Sequence, residues 1–170
     1  WCWNNRSRVQ WSAKVYLFMI KFLLTLAVVG ICALIGFVIY SYIKNRVQLY
    51  DEILKLINDF KSEIYFLQTD FSTLLKRQNY GKGVMGLVDS YLKVGQATSV
   101  LLKQTESKVV TDFFNSIGKH DVEGELKNLG YYESVFKTEY EKKNVVFNKY
   151  GSLVLKLSII AGALLAIILI

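Results

Sequence analysis

The segment "IKNRVQLYDEILKLINDFKSEIYFLQTDFSTL", Ile43 to Leu74, decides what kind of protein this is. Its apolar and aromatic residues fall at Ile43, Val47, Tyr50, Leu54, Ile57, Phe60, Ile64, Leu67, Phe71 and Leu74, each three or four positions after the last. That spacing predicts a helix with a coiled-coil-like stripe. Lys44, Asp51, Glu52, Lys55, Asp59, Lys61, Glu63 and Asp70 occupy the other face, the pattern of a solvated helix surface. No Gly or Pro interrupts the run, so it reads as one rod over residues 41–75, about 50 Å long at the usual rise per residue.

The rod is preceded directly by "FLLTLAVVGICALIGFVIY", Phe22 to Tyr40, nineteen residues without a charge. At helical rise this is about 28 Å, enough to span a bilayer core. It is too long for the apolar region of a signal peptide and has no convincing small-residue cleavage site after it, so it reads as a retained span. A second apolar block, "LSIIAGALLAIILI", runs from Leu157 to Ile170, and Lys156 is placed to snorkel to the interface. The missing initiating Met and the absence of a polar flank after Ile170 point to a fragment of a longer chain.

Charge divides along the same lines. Arg6, Arg8, Lys14 and Lys21 precede the first apolar block without an acid, whereas residues 41–151 hold sixteen Lys/Arg and all fourteen Asp/Glu. The net charge of +7 therefore comes mostly from the tail and reports topology, not nucleic-acid binding. Read by the positive-inside rule, the tail is cytoplasmic and the middle of the chain extracytoplasmic. Cys2 and Cys32 are the only cysteines and provide no disulfide framework.

Within the middle region, "QNYGKG" is expected to end the first rod, with Gly81 and Gly83 at positive φ. A second helix is expected from Val84 to about Gln104, its stripe formed by Val84, Val88, Tyr91, Gly95, Thr98 and Leu102. "SKVVTDFFNSI" gives a short third helix, "GKHDVEG" breaks the chain, and a last helix starts near Val122. That helix carries Leu126, Leu129, Tyr132, Phe136, Tyr140, Lys143, Phe147 and Tyr150 at three and four spacing, and runs straight into the second apolar block.

The expected fold is thus all-α: two transmembrane helices flanking an antiparallel extramembrane bundle of three or four helices. Its parts are a basic tail (1–14), a first span (15–40), the bundle (41–151) and a second span (152–170). Ser158, Gly162 and Ala166 recur every four residues in the second span, and Cys32 with Gly36 offers a matching small patch in the first, so the two are expected to pack. At the corner between the first two helices, Lys76, Arg77, Tyr80 and Lys82 form the candidate interaction tip, with the two cations complementing a helix C-terminus.

Catalytic chemistry finds little support. His120 is the single histidine, and although Asp121, Glu123 and Glu125 lie beside it, metal-ligand and calcium-loop spacings are missing. Ser, Thr and Cys nucleophiles have no triad motif around that histidine. "GKGVMG" lacks both the phosphate-loop spacing and a preceding strand. No catalytic residue, cofactor or metal is expected.

The order of features resembles LemA-family proteins, on Leu75, Lys76 and Arg77 followed by Leu87, Val88 and Tyr91 near the first corner, and on Tyr140, Phe147 and Asn148 near the end. That resemblance implies a membrane-anchored helical bundle with a scaffolding or partner-binding role. The expected function is a non-enzymatic membrane-anchored scaffold or interaction subunit, whose partners are the lipid bilayer and other membrane-protein subunits or copies of itself. The alternative is the extracytoplasmic sensor domain of a chemoreceptor or sensor-kinase-like receptor, truncated after its second span.

Overall fold

The computed structural model describes residues 4–66 and 80–169, which form four helices: α1 (Asn4–Phe66), α2 (Lys82–Val94), α3 (Gln104–Ser116) and α4 (Val122–Leu169). The described residues are all-helical, with no strand among them. Basic-tail residues 4–14 belong to α1 itself. Cys2, the stretch of the first rod from Leu67 to Leu75, and Lys76 and Arg77 lie outside the described residues.

The chain divides into two compact units, Trp1–Ser41 with Lys149–Ile170, and Tyr42–Asn148. In the first, the most apolar windows of α1 and α4 are long enough to cross a bilayer, and only 11% of each is buried. A soluble core helix would be largely buried, so this apolar surface is the kind a membrane covers. Phe18, Phe22, Leu34 and Val38 on α1, and Ile159, Ile167 and Ile168 on α4, are exposed. Hydroxyls in these segments bond locally, Thr25 Oγ1 donating to the Phe22 carbonyl at 2.8 Å and Ser158 Oγ to the Val154 carbonyl at 2.7 Å. Gly36 and Gly162 are buried, because a Cβ on Gly36 would overlap the Ser158 side chain and one on Gly162 would lie 3.0 Å from the Cys32 Cβ and 3.3 Å from the Val29 Cα. Small residues let the two helices meet nearly backbone to backbone.

The second unit has its own core. α1 contributes Leu49, Tyr50, Ile53, Leu56, Ile57 and Phe60, and these face Val84, Leu87 and Val88 of α2, Val110, Phe113 and Phe114 of α3, and Leu129 and Phe136 of α4. The buried face of α1 is wider than the expected seam: Leu49, Ile53 and Leu56 are fully buried, whereas Leu54 and Ile64 are only partly covered. A helix with neighbours on several sides buries a broad stripe, while a two-stranded coiled coil buries a narrow one. Aromatic rings tie α3 to α4, with the Phe113 centroid 5.2 Å from Tyr132 and 5.6 Å from Phe136.

The first corner differs from expectation. Gly81 is extended (φ −61°, ψ 159°) and serves as the N-cap of α2, while positive φ falls at Gly95 and Gly118. The first two glycines of "GKGVMG" answer a need for space. A Cβ on Gly81 would overlap the Glu52 carboxylate of α1, and one on Gly83 would come 2.8 Å from Leu49 Cδ1. The Glu52 carboxylate consequently sits against the N-terminus of α2, where the helix dipole favours negative charge.

α2 is also shorter than expected. It stops at Val94 because Gly95 turns into the left-handed region (φ 73°) and its N–H bonds the Tyr91 carbonyl. Residues 96–103 form a loop pinned by α3, with the Ala97 N–H donating to Thr111 Oγ1 at 2.9 Å and Ser107 Oγ donating to the Ala97 carbonyl at 2.5 Å. These side chains satisfy the backbone groups that a helix would have used. At the next corner Gly118 (φ 77°) donates its N–H to Glu125 Oε1 at 3.2 Å, and His120 Nδ1 lies 3.4 Å from Oε2 of the same buried carboxylate. Asp121 accepts the Gly124 N–H at 3.2 Å and so caps α4.

These glycines predict opposite outcomes. Gly118→Ala forces a side chain into the left-handed region and is expected to destabilise by about 1–2 kcal/mol. Gly86→Ala lies mid-helix with nothing within 4 Å of the new methyl and is expected to stabilise by about 0.5–1 kcal/mol. Thermal melts of the full chain in mild detergent read both.

Candidate functional site

Of the four residues expected to form an exposed tip, Tyr80 and Lys82 are among those described. Tyr80 is buried, with its hydroxyl 3.3 Å from Asp59 Oδ2, so it belongs to the core. Burial first, and then the Asp59 charge, raise its phenol well above the ordinary tyrosine range. Lys82 is exposed at the start of α2, and Lys76 and Arg77 are among the residues not described. In the apolar unit the expected packing set is brought together in two pairs, Gly36 against Ser158 and Gly162 against Cys32. Ala166 is half-buried.

Among the described residues of the Tyr42–Asn148 unit, charge gathers in a cluster built from three helices. Arg46 of α1 places its Nη2 between both oxygens of Glu106 of α3, at 2.8 and 2.7 Å. Lys143 of α4 reaches the same carboxylate at 2.8 Å and Glu139 of its own helix at 2.9 Å, and its ammonium lies 4.6 Å from the centre of the Tyr50 ring. Arg46, Glu106 and Lys143 have side chains only 16%, 13% and 15% exposed, so these charges are substantially withdrawn from water. Glu106 is also the third residue of α3 and accepts the Lys103 N–H at 2.9 Å, half of a capping box.

The electrostatics fix the protonation states. Burial alone would raise the Glu106 carboxyl, but the Lys143 ammonium, the Lys103 N–H and Arg46 outweigh it and hold it below the ordinary value. Lys142 and Lys143 hold Glu139 down as well. The Tyr50 phenol moves the other way, raised by burial and then by the Glu106 and Glu139 charges, and stays neutral. Both acids are ionised and matched to cations, so the cluster works as a charge lock joining α1, α3 and α4 and holds no poised acid or base. Among the described residues no three His, Cys, Asp or Glu side chains converge to hold a metal ion.

The lock forms one wall of an open cleft of about 350 Å³, whose rim is completed by Tyr42, Lys103, Lys142 and Val146. Sequence reasoning did not gather these residues, although one signal was present. Lys143 occupies a position on the apolar stripe of the last helix, where a cation requires a buried anion as partner.

Glu106→Gln keeps the shape and removes the charge, leaving Arg46 and Lys143 half-matched. The expected loss is about 1.5–3 kcal/mol, the range for hydrogen bonds to charged groups. Because both acids have folded values below the ordinary 4.5, their contribution is complete above that pH and disappears as pH falls through the lowered values. Denaturant titrations across the acid range should show stability falling in the wild type and a flatter profile in the variant.

Residues 89–170, just under half of the chain, match the family model described as Stage III sporulation protein AB. The matched region takes in the end of α2, all of α3 and the whole of α4. No curated protein and no solved structure matches the chain. The family match overturns the resemblance to LemA proteins, because it lies in a different family. The residues that carried that resemblance are general to helical bundles: Leu87 and Val88 are core positions of α2, and Tyr140 packs against the same core from α4.

Proposed function

We propose that the chain is a non-enzymatic, membrane-anchored subunit of a larger membrane assembly. The observation that carries this reading is the match of residues 89–170 to a sporulation family, on a chain whose two longest helices are apolar enough to cross a bilayer. The cluster supports a structural role, since its ionised groups are consumed by one another. The family match also favours an assembly subunit over a truncated receptor. In this reading the Tyr42–Asn148 unit holds the partner, another subunit or a second copy of the chain.

The orientation we propose reverses the one expected from the tail. The positive-inside rule counts Lys and Arg within about 20 residues of a span and gives acids little weight. On that count the tail offers Arg6, Arg8, Lys14 and Lys21, whereas the Tyr42–Asn148 unit offers Lys44, Arg46, Lys55, Lys137, Lys142 and Lys143. We therefore assign the unit to the cytoplasmic side.

Two measurements test these statements. Solubilised in mild detergent from its native membrane, the chain should migrate as a complex with other membrane proteins or with itself; a lone monomer under the same conditions would overturn the assembly reading. With the native cysteines replaced, Lys119→Cys should be protected from a membrane-impermeant maleimide in intact cells and labelled after lysis. Labelling in intact cells would restore the opposite orientation.

A further inference from the structure

We infer that the cleft beside the charge lock is a seat for the phosphate of an anionic phospholipid headgroup. The inference rests on the membrane anchoring proposed above and adds a ligand to it. Position is the first argument. Tyr42 and Arg46 follow the first apolar block within six residues, and Lys142, Lys143 and Val146 precede Lys149, where the chain returns to the apolar unit. The sides of the cleft that α1 and α4 supply therefore lie close in sequence to the two apolar segments, and headgroups border such segments where they enter a bilayer.

Charge is the second. Four cations, Arg46, Lys103, Lys142 and Lys143, line the cleft against two carboxylates, Glu106 and Glu139, leaving a formal excess of two positive charges. Lys103 is exposed and, among the described residues, has no carboxylate partner. The Lys142 pair with Glu139 is a surface pair, with the lysine side chain 66% exposed, so its ammonium remains free to turn toward a phosphate.

The third argument is the apolar company of these lysines. Val100 stands three residues before Lys103 on the loop that α3 pins, and it is 91% exposed. It lines a neighbouring cleft together with Asn45, the residue before Arg46. Tyr42, on the cleft rim, is also exposed. An exposed aliphatic side chain, a tyrosine and exposed lysines form the combination that settles into the bilayer interface.

The test uses the full chain in mild detergent, titrated with phosphatidylglycerol or phosphatidylcholine and followed by native mass spectrometry. Phosphatidylglycerol should be retained in preference. Lys103→Gln with Lys142→Gln should reduce that preference about fivefold or more, the effect of losing basic residues at an anionic surface. Lys119→Gln with Lys127→Gln, in the turn after α3 and the early turns of α4 and outside the cleft, should leave it unchanged. Equal preference in wild type and the first variant, or equal loss in the second, would overturn the seat. Displacement of phosphatidylglycerol by inorganic phosphate would assign the cleft to free phosphate and overturn the lipid assignment. A chain that fails to enter bilayers at all removes the anchoring instead, a result read separately by flotation with liposomes.

Discussion

An ionised carboxylate withdrawn into a helical bundle has to be met by cations, and where those cations come from decides which helices must meet. Glu106 meets that condition with Arg46 from α1 and Lys143 from α4. Its backbone contact to Lys103 fixes where α3 begins, so one side chain sets both the start of a short helix and its place between two long ones. The Tyr50 ring links the lock to the aromatic layer of Phe113, Tyr132 and Phe136, lying 4.6 Å from the Lys143 ammonium and 6.3 Å from the Phe136 centroid. Apolar packing supplies the bulk of such a core, but it is tolerant of sliding; a charge cluster with three contributors is not.

Long periodic features were legible in the sequence. The α1 stripe, the α4 start at Val122 and the two apolar segments rest on repeated spacing, where many residues vote for one period. Features that depend on a single distant contact were not. The glycines at 81 and 83 read as a turn because glycine permits positive φ, yet their reason is the Glu52 carboxylate and Leu49 methyl, about thirty positions away in sequence. Gly95 falls on the expected stripe of the second helix, yet it ends that helix because Ser107 and Thr111 of α3 bond the backbone that follows. Tyr80 looked like an exposed tip residue, since nothing local announces that Asp59 accepts from its hydroxyl.

The candidate site was legible only in hindsight. Arg46, Glu106, Glu139 and Lys143 are separated by up to about a hundred residues, and each alone has the ordinary look of a charge on a helix surface. Lys143 was the exception, a cation on an apolar stripe. The resemblance to LemA proteins failed for a related reason: its matching residues were those that any helical bundle needs at its core. The match over residues 89–170 draws on the part of the chain where α3 and α4 supply two of the three contributors to the lock.

The pairing of Gly36 with Ser158 and of Gly162 with Cys32 has a mechanical consequence. Each is a bump seated in a notch on the facing helix, and the two seats are about one helical turn apart along both chains. Axial sliding of one apolar helix past the other has to lift both bumps out of their notches together. Separation of the helices meets no such obstruction. A pull exerted on one of these helices along its axis is therefore shared by the other as a single strut.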